Sequence, residues 1–359
     1  MPAALPLTNA QIAELLAVAA ESAKMPAQKA LRRASRKAYL WPEEAARLVE
    51  QKRSLEELAG VGPYLSRLIR GWVHDPPAVP KSPPIRSGFL SLPQARAILA
   101  RRSAWPRRLK GDLQMHTLWS DGLGSVEEMA RAAVARGYDY IAITDHSKGL
   151  KIAGGIDEQQ LRRQEGEIAE VNQQLSAEGH HLRTLRSIEL NIDPQGKGDM
   201  EPEALDRLDL VLGCFHSSLR KKEDQTERYL AALRNPSIQI LGHPRGRIYN
   251  FRMGLSADWP RVFALAAELD KAVEIDAYPD RQDLSPDLVK LAARSGCRIS
   301  LGTDSHGPTQ LAFIDYALAS ALSGGVKQER ILNFLTAVEL TRWAAETRER
   351  SRRHSGRAA

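Results

Sequence analysis

Several histidines and carboxylates in this sequence stand at the ends of short apolar stretches, where a β-strand would deliver a metal ligand. GDLQMH ends at His116, YIAITDH ends at His146, and the pattern recurs as far as RISLGTDSH. Imidazole and carboxylate donors without thiolates are typical of sites for Zn²⁺, Mn²⁺ or Fe²⁺. The candidate metal ligands are His116, Asp121, His146, Glu189, His216, His243, Asp304 and His306.

The size of this set predicts a polynuclear centre. One ion takes about four to six donors, so the set accommodates two or three divalent ions, with Glu189 as a candidate bridge. Metal ions a few Å apart activate a water molecule and hold the non-bridging oxygens of a phosphate. We therefore predict hydrolysis of a phosphate ester. A lone histidine is more often a core or helix-capping residue, and only the recurrence at several strand ends favours a metal site.

Three cations close to these residues in the sequence are candidate catalytic groups. Lys148 follows TDHS, and Arg245 and Arg247 lie in HPRGR. Each is able to hold a substrate phosphate or to stabilise charge in the transition state. An ordinary surface role is the alternative, and the sequence favours neither.

From residue 111 onwards, strand patterns alternate with helix patterns. Strands are predicted near 111–116, 139–145, 182–190, 208–216, 237–243, 271–278 and 297–303, and helices at 125–136, 157–178, 224–234, 258–269, 285–295 and 308–322. Seven β-α units with polar residues at strand ends indicate an α/β fold, a TIM-like (β/α)7 barrel with its site at the C-terminal face. An open doubly wound sheet would draw its site from fewer strands.

The first 74 residues read as a small all-α domain. Helical patterns at 8–24, 28–39 and 42–52 precede SLEELAGVGPYLSRLIRGWV, in which two short helices would flank a glycine turn as in a helix-hairpin-helix. Such a turn exposes N–H groups that hold a nucleic-acid phosphate. The candidate DNA-binding residues are Arg32, Arg33, Gly60, Gly62, Arg67 and Arg70. A plain helical connector is the alternative.

Charge is distributed unevenly along the chain. Residues 1–110 carry 19 lysines and arginines against 8 acidic residues, and residues 342–359 carry 6 arginines against 2 glutamates, so the middle is acidic in a chain of net charge +7. This uneven charge favours a polyanion-binding module joined to a cation-binding site. The alternative is that both parts simply have solvated surfaces of differing composition. The predicted units are the helical domain at 1–74, a Pro-rich linker at 75–110, the barrel at 111–341 and a basic, disordered tail at 342–359.

Composition also bears on location. No stretch approaches the roughly 18 apolar residues of a membrane span, and the start lacks a cleavable signal pattern. Cys214 and Cys297 lie in or beside apolar strands, which favours buried free thiols over a disulfide. We therefore expect a cytoplasmic protein without a membrane partner; the sequence does not indicate an oligomeric state.

The motifs DLQMHTLWSDG, ITDHS, IELN, GCFHSS, GHPRGR and GTDSH resemble those of the PHP (polymerase and histidinol phosphatase) family. The resemblance implies a distorted (β/α)7 barrel with a trinuclear metal centre, phosphoesterase activity and the eight ligands named above. The family's first motif is usually His-x-His, whereas this chain has Gln114 in the first position. A neutral amide is a weaker donor, so the resemblance makes Gln114 a ninth candidate ligand at a position that is under-occupied or suits Mn²⁺ better than Zn²⁺.

The whole arrangement is similar to that of bacterial family X DNA polymerases, in which a helix-hairpin-helix domain precedes a polymerase and a PHP domain follows. The segment between 74 and 110 is too short for a polymerase palm, so we do not expect DNA synthesis. Related N-terminal domains can carry a lyase lysine, but residues 64–74 contain none.

Three functions follow from these patterns. The favoured one is a metal-dependent phosphoesterase acting on DNA 3′ ends or abasic sites, as a 3′–5′ exonuclease or DNA-repair nuclease. A small-molecule phosphatase of the histidinol-phosphatase kind would leave the basic N-terminal part unexplained. A non-catalytic DNA-binding protein would retain the fold without the metal chemistry, with Gln114 as its first sign.

Overall fold

Four helices pack into a small all-α unit at the start of the chain. The structure is a computed structural model that describes residues 6–102 and 104–358. The helices are α1 (Asn9–Ser22), α2 (Ala27–Lys37), α3 (Ala45–Glu50) and α4 (Pro63–His74). Thr8 caps α1 through a capping box with Gln11. Fully buried Ile12, Leu16 and Trp41 form part of the core of this unit.

The predicted helix-hairpin-helix contains only one of its two expected helices. Its first half is a 3-10 turn at Leu55–Glu57, because Leu58 adopts an extended backbone that ends the turn. The second half is α4, which begins at Pro63. Gly60 has a left-handed φ of 82°, a conformation that glycine adopts at little cost.

The proline-rich segment 75–91 contains one short 3-10 turn, at Pro84–Arg86, and it packs against the helical unit. Arg86 is buried and places Nη2 2.8 Å from Oε1 of Glu14 on α1. Phe89 is buried in the same cluster as the core of that unit. Two helices follow, α5 (Leu92–Ala100) and α6 (Ala104–Arg108).

The remaining chain alternates parallel strands and helices. Its elements are β1 (Gly111–Asp112), α7 (Val126–Ala135), β2 (Tyr140–Ile143), α8 (Glu158–Ala177), β3 (Arg183–Arg186), β4 (Glu189–Asn191), α9 (Pro202–Leu205), β5 (Leu212–Cys214), α10 (Thr226–Arg234), β6 (Ile240–Leu241), α11 (Trp259–Glu268), β7 (Ala272–Asp276), α12 (Pro286–Arg294), β8 (Arg298–Gly302), α13 (Ile314–Ser323) and α14 (Ala337–Ala358). The predicted α/β class with parallel strands is confirmed.

The strands form two parallel sheets, in the orders β1-β2-β3 and β4-β5-β6-β7-β8. Single parallel bridges join the sheets, between His146 and Glu189 on one side and between Met115 and Ser305 on the other. The strand expected at 182–190 is therefore interrupted, and its two parts pair with different neighbours. Among the described strands no continuous ladder joins the two sheets, and both bridges lie beside candidate ligands.

The basic tail predicted to be disordered is instead helical as far as Ala358, as part of α14. The prediction was wrong because a helical apolar stripe precedes the charged residues: Leu340, Trp343 and Ala344 are buried against the strands. Beyond them, Arg352 places Nη2 2.6 Å from Oδ1 of Asp206, which fixes the basic end of the helix. No helix within residues 6–102 and 104–358 has the length and apolar character needed to cross a bilayer.

Candidate metal centre

Glu189, buried at the start of β4, lies at the centre of the candidate ligands. Its Oε1 is 2.7 Å from Nε2 of His216 and 2.8 Å from Nε2 of His243. Its Oε2 accepts a hydrogen bond of 2.9 Å from Nε2 of Gln114 and lies 3.3 Å from Nε2 of His116. One carboxylate is thus shared among side chains from both sheets, as a bridging ligand would be.

A second group of donors surrounds Asp121, in the loop after β1. Its Oδ1 is 3.5 Å from Nε2 of His146 and 3.5 Å from Nε2 of His306. The ring of His116 stacks on His146 with centroids 4.3 Å apart. Two ligand atoms on one tetrahedral zinc ion, with bonds of about 2.0–2.1 Å, lie about 3.3 Å apart. The spacing around Asp121 therefore suits donors to a common ion.

Asp304 follows β8 and connects the two groups. Its Oδ1 is 2.9 Å from Nε2 of His116, and its Oδ2 is 2.8 Å from Nη1 of Arg281. The backbone oxygen of Asp304 lies 2.8 Å from Nδ1 of His306, which orients that ring. Arg281 therefore holds the Asp304 carboxylate in place.

The backbone at two of these residues is strained. His243 has φ 22° and Asp304 has φ 52°, values that are uncommon for residues with a side chain and that cluster at functional sites. The N–H of His243 donates a 2.7 Å hydrogen bond to Oε2 of Glu274, and this contact supports the turn. Gly302 makes room for that carboxylate, because a Cβ there would collide with Glu274 and Gln114.

These side chains fit divalent cations. Nδ1 of His116, His146 and His243, and Oε1 of Gln114, are buried without a hydrogen-bond partner, whereas buried polar atoms are normally paired. Within the described residues, four groups of three possible ligands have their donor atoms within 4.8 Å of one another, and Glu189 belongs to three of them. A shared carboxylate surrounded by imidazoles with unpaired nitrogens is the donor set that Zn²⁺, Mn²⁺ and Fe²⁺ take.

The electrostatics of the site also favour cations. Burial alone lowers the pKa of a histidine, but the neighbouring carboxylates outweigh it at His116 and His243, and the pKa of both is raised. At His146 burial prevails and lowers the pKa to about 3, so this imidazole is neutral at pH 7. Burial acts to raise the pKa of Glu189, but the surrounding histidines hold it well below its usual range.

Both cysteines are buried and free, as predicted. The Sγ of Cys214 lies close to donor atoms of Glu189 and His243. Burial, followed by the charge of Glu189, raises the pKa of this thiol well above its ordinary value. Cys214 is therefore a buried thiol beside the centre, next to two of the candidate ligands.

The structure does not bring the three candidate catalytic cations into the histidine cluster. Lys148 places Nζ 2.7 Å from Oε1 of Glu158. Arg245 donates from Nε to the backbone oxygen of Leu255 at 3.3 Å. The side chains of both are thus engaged outside the group around Glu189.

Arg247 belongs to the junction between the helical unit and the barrel. Its Nε donates to the backbone oxygen of Arg281 at 2.9 Å, and its Nη2 donates to that of Gly88 at 2.9 Å. Its guanidinium lies 3.8 Å from the ring centroid of Phe89. The side chain of Arg247 is thus buried in packing contacts, and burial lowers its pKa to about 10.

The candidate DNA-binding residues all belong to the helical unit but lie on two elements. Arg32 and Arg33 are exposed on α2. Gly62 caps α4 without a side-chain hydrogen bond, and Arg67 is exposed on that helix. The Nη2 of Arg70 donates to the backbone oxygen of Arg53 at 3.3 Å.

Residues 112–278 match the PHP domain family. The chain is 35% identical to the DNA polymerase/3′-5′ exonuclease PolX of Bacillus subtilis over 227 residues, which are 63% of this chain and 39% of that protein. The chain thus spans well under half the length of this relative.

Shorter proteins match the same region of the PHP domain. A probable phosphatase of Caldanaerobacter subterraneus subsp. tengcongensis is 27% identical over 238 residues, which are 63% of this chain and 87% of that protein. A solved structure of histidinol phosphate phosphatase from Lactococcus lactis, complexed with zinc, L-histidinol and phosphate, covers 61% of this chain and 94% of that one, with 19% identity and a TM-score of 0.43.

Two side chains that position the ligands were not predicted. Arg281 lies in the loop after β7, immediately after Asp280. Asn191 places Oδ1 3.1 Å from Nδ1 of His216. Its position two residues after Glu189 was the available signal, because alternate residues of a strand share one face.

Proposed function

We propose that this chain hydrolyses phosphodiester or phosphomonoester bonds at DNA 3′ ends or abasic sites, as a 3′–5′ exonuclease or DNA-repair nuclease. The reaction class, phosphate-ester hydrolysis, is supported by the match of residues 112–278 to the PHP domain family and by relatives named as a 3′-5′ exonuclease and a probable phosphatase. The observation that carries the proposal is the sharing of Glu189 among His116, His216 and His243, in a chain whose first 110 residues are strongly basic. That arrangement suits an anionic polymer whose end is to be cleaved.

The residues that would hold the metals are those assembled around Glu189, Asp121 and Asp304. We propose two or three divalent ions (Zn²⁺, Mn²⁺ or Fe²⁺), with His116, His146, His216, His243, His306 and Gln114 as the remaining donors. Divalent ions in such a centre supply an acidified water and positive charge for the phosphate oxygens. Arg281 orients Asp304, and Asn191 orients His216, so both ligands are held before substrate arrives.

The DNA part of the proposal is supported by charge and by the relative from B. subtilis. Residues 1–110 carry a large excess of lysine and arginine, and Arg67 is exposed beside the uncapped start of α4. The relative is named a polymerase and a 3′-5′ exonuclease, and the matched part covers 39% of it. We propose that the exonuclease is the activity the two proteins share.

A small-molecule phosphatase is the second candidate. It is favoured by two probable phosphatases that match this chain over 87% and 89% of their own length. These matches cover only 63% and 62% of this chain. Under that proposal the helical unit would serve a purpose other than holding the substrate.

One assay separates these functions. Purified protein with Mn²⁺ is incubated with 5′-labelled single-stranded and gapped DNA, and separately with histidinol phosphate. His216→Ala removes a side chain 2.7 Å from Glu189. His181→Ala is the matched control, because His181 is exposed two residues before β3, at the end of the strands opposite the ligands.

A ladder of shortened DNA from the wild type and His181→Ala, but not from His216→Ala, is the expected result. The direction of the ladder gives the polarity. Intact DNA with phosphate release from histidinol phosphate would overturn the DNA proposal in favour of the phosphatase. No hydrolysis of either substrate by metal-loaded protein would leave a DNA-binding protein.

A further inference from the structure

A groove between α2 and the loop after β6 concentrates positive charge. Its volume is about 720 Å³. Six basic side chains line it: Lys29, Arg32, Arg33, Arg36, Lys37 and Arg86. Glu21 is the one carboxylate among the described residues of the lining, and it lies 3.0 Å from Nη1 of Arg86. The groove is thus strongly basic, with its carboxylate already paired.

The cations contributed by α2 have few acidic partners within the protein. In the described part of the chain, Lys29, Arg32, Arg33 and Arg36 form no salt bridge, and the three arginines are exposed. Arg36 is close enough to the carboxylate of Asp280 to counter the rise in its pKa that burial causes. The opposite face of α2 is buried through Leu31, Ala34 and Ser35. Unpaired like charges on one surface repel one another, and an anionic ligand relieves that repulsion.

An exposed aromatic residue forms the other wall of the groove. Phe251 is 51% exposed, although large apolar side chains usually lie in the core. The guanidinium of Arg220 lies 4.7 Å from its ring centroid. Phe251 is in the loop after β6 and Arg220 is in the loop after β5. His243 and His216 follow the carboxyl ends of the same two strands, and these ends lie at one edge of the sheet because the strands are parallel.

The loop that carries Phe251 is fixed in position. Ile248 and Arg252 pair as an antiparallel bridge at its base. Between them, Tyr249 is fully buried and its hydroxyl lies 2.9 Å from that of Ser35 on α2. The N–H of Asn250 donates to the backbone oxygen of Ile85 at 3.0 Å. Phe251 therefore stands at a set place facing the cations of α2.

We propose that this groove binds a single strand of nucleic acid, with phosphates along α2 and a base stacked on Phe251, and that it leads the strand towards the metal centre. This inference rests on the proposed DNA function and adds a binding site to it. A row of cations beside an exposed aromatic ring is how proteins hold unpaired strands, since every base has a face to stack. A duplex would keep its bases stacked and leave the ring without a partner.

The test measures binding of a 5′-fluorescein-labelled oligothymidylate in EDTA, by anisotropy, so that no hydrolysis intervenes. The same measurement uses an oligonucleotide of equal length with abasic residues in place of thymidines. Phe251→Ala is expected to weaken binding of the oligothymidylate by about tenfold and to leave binding of the abasic oligonucleotide unchanged. Phe251→Trp is expected to bind the oligothymidylate as tightly as the wild type does. Equal effects on both oligonucleotides, or no effect, would overturn the stacking.

The cations of the groove have a separate signature. Arg33→Ala with Arg36→Ala should weaken binding of both oligonucleotides and reduce the salt slope by about 0.7 for each phosphate that is no longer neutralised. Arg101→Ala with Arg102→Ala is the matched control, because these exposed arginines do not line the groove. Polyglutamate of equal charge and unlabelled oligothymidylate are then compared as competitors of the labelled oligothymidylate. If both displace it equally well, the groove binds acidic peptides as readily as nucleic acid, and the proposal is overturned.

The inference and the proposed function can fail independently. If the wild type hydrolyses DNA and Phe251→Ala binds the oligothymidylate normally, the proposed binding site is wrong and the proposed nuclease activity stands. If oligothymidylate binding is tight and depends on Phe251 but the protein cleaves no DNA, the proposed binding site stands and the proposed nuclease activity is wrong.

Discussion

The hydroxyl of Tyr249 lies 2.9 Å from that of Ser35, and this contact joins the loop after β6 to α2. Ser35 donates its own proton to the backbone oxygen of Ala13 at 2.9 Å, so Tyr249 is the donor between the two hydroxyls. The ring of Tyr249 packs edge-on against Tyr39 and Phe89, with centroids 4.9 and 5.3 Å away. The helical unit and the barrel therefore share a small aromatic core.

Substitutions at Tyr249 should show how much this core contributes to stability. Tyr249→Phe should lower the free energy of unfolding by about 1 kcal/mol, because it removes one net hydrogen bond. Tyr249→Ala should lower it by about 3–5 kcal/mol, because it leaves a cavity. Urea unfolding followed by circular dichroism measures both. Tyr64→Phe, at a half-exposed tyrosine on α4, is the control; an equal loss there would contradict the assignment.

The start of α4 should contribute to duplex DNA binding through Arg67 and Arg70. The double variant to alanine should weaken binding and flatten its salt dependence, because a protein that neutralises fewer phosphates releases fewer counterions. Arg67→Ala should account for most of the loss of affinity, since Arg70 is partly engaged with the backbone of Arg53.

Anisotropy with labelled duplex in EDTA measures that loss, and hydrolysis of a small chromogenic phosphodiester checks the metal centre. The chromogenic activity should be unchanged, because neither arginine contacts the ligands. If His216→Ala and the double arginine variant lost the same property, the division into a DNA-holding unit and a hydrolytic unit would be wrong.

Gln114 should limit how firmly metal is held. Its Oε1 is buried without a partner, and an amide oxygen is a weaker donor than an imidazole. Gln114→His should raise the ratio of metal to protein that survives dialysis against a chelator, and Gln114→Ala should lower it. Elemental analysis of both variants beside the wild type gives the ratio. An unchanged ratio in both would exclude Gln114 from the donor set.

The sequence predicted the α/β class and the strand ends that carry the candidate ligands. Buried strands appear in it as short apolar stretches, and these alternate with stretches that have the apolar spacing of helices. His216 and His243 end apolar stretches, and the structure brings both to one carboxylate oxygen of Glu189. Arg247 was a candidate catalytic residue because it lies four positions after the candidate ligand His243. Its side chain turns to Phe89, a long-range contact for which the local sequence has no signal.

The local sequence did not predict the interruption between β3 and β4, and it did not predict that the basic tail is part of the helix α14. The interruption follows from pairing with different neighbours on the two sides. The helix is held at its basic end by contacts such as that of Arg352 with Asp206, 146 positions away. Contacts of this length depend on the assembled fold.

Lys271, immediately before β7, should make stability depend on pH. Its side chain is fully buried, and Nζ donates to the backbone oxygen of Asn235 at 2.6 Å. Burial lowers its pKa to about 7, against about 10.4 in an unfolded chain. Between these values the unfolded state binds more protons than the folded state, so this residue makes stability rise as pH increases from about 7 to about 10 and makes no further contribution to the slope below that window.

Lys271→Met should remove that rise and increase the free energy of unfolding at pH 7 by on the order of 2–4 kcal/mol, because no ammonium then needs to be buried or neutralised. Urea unfolding of the wild type and the variant across pH 7–10 gives the difference in slope. Lys290→Met removes the same charge from an exposed position on α12 and should leave the slope as it is in the wild type. If both variants changed the slope equally, the effect would belong to net charge, and the burial of Lys271 would not be its cause.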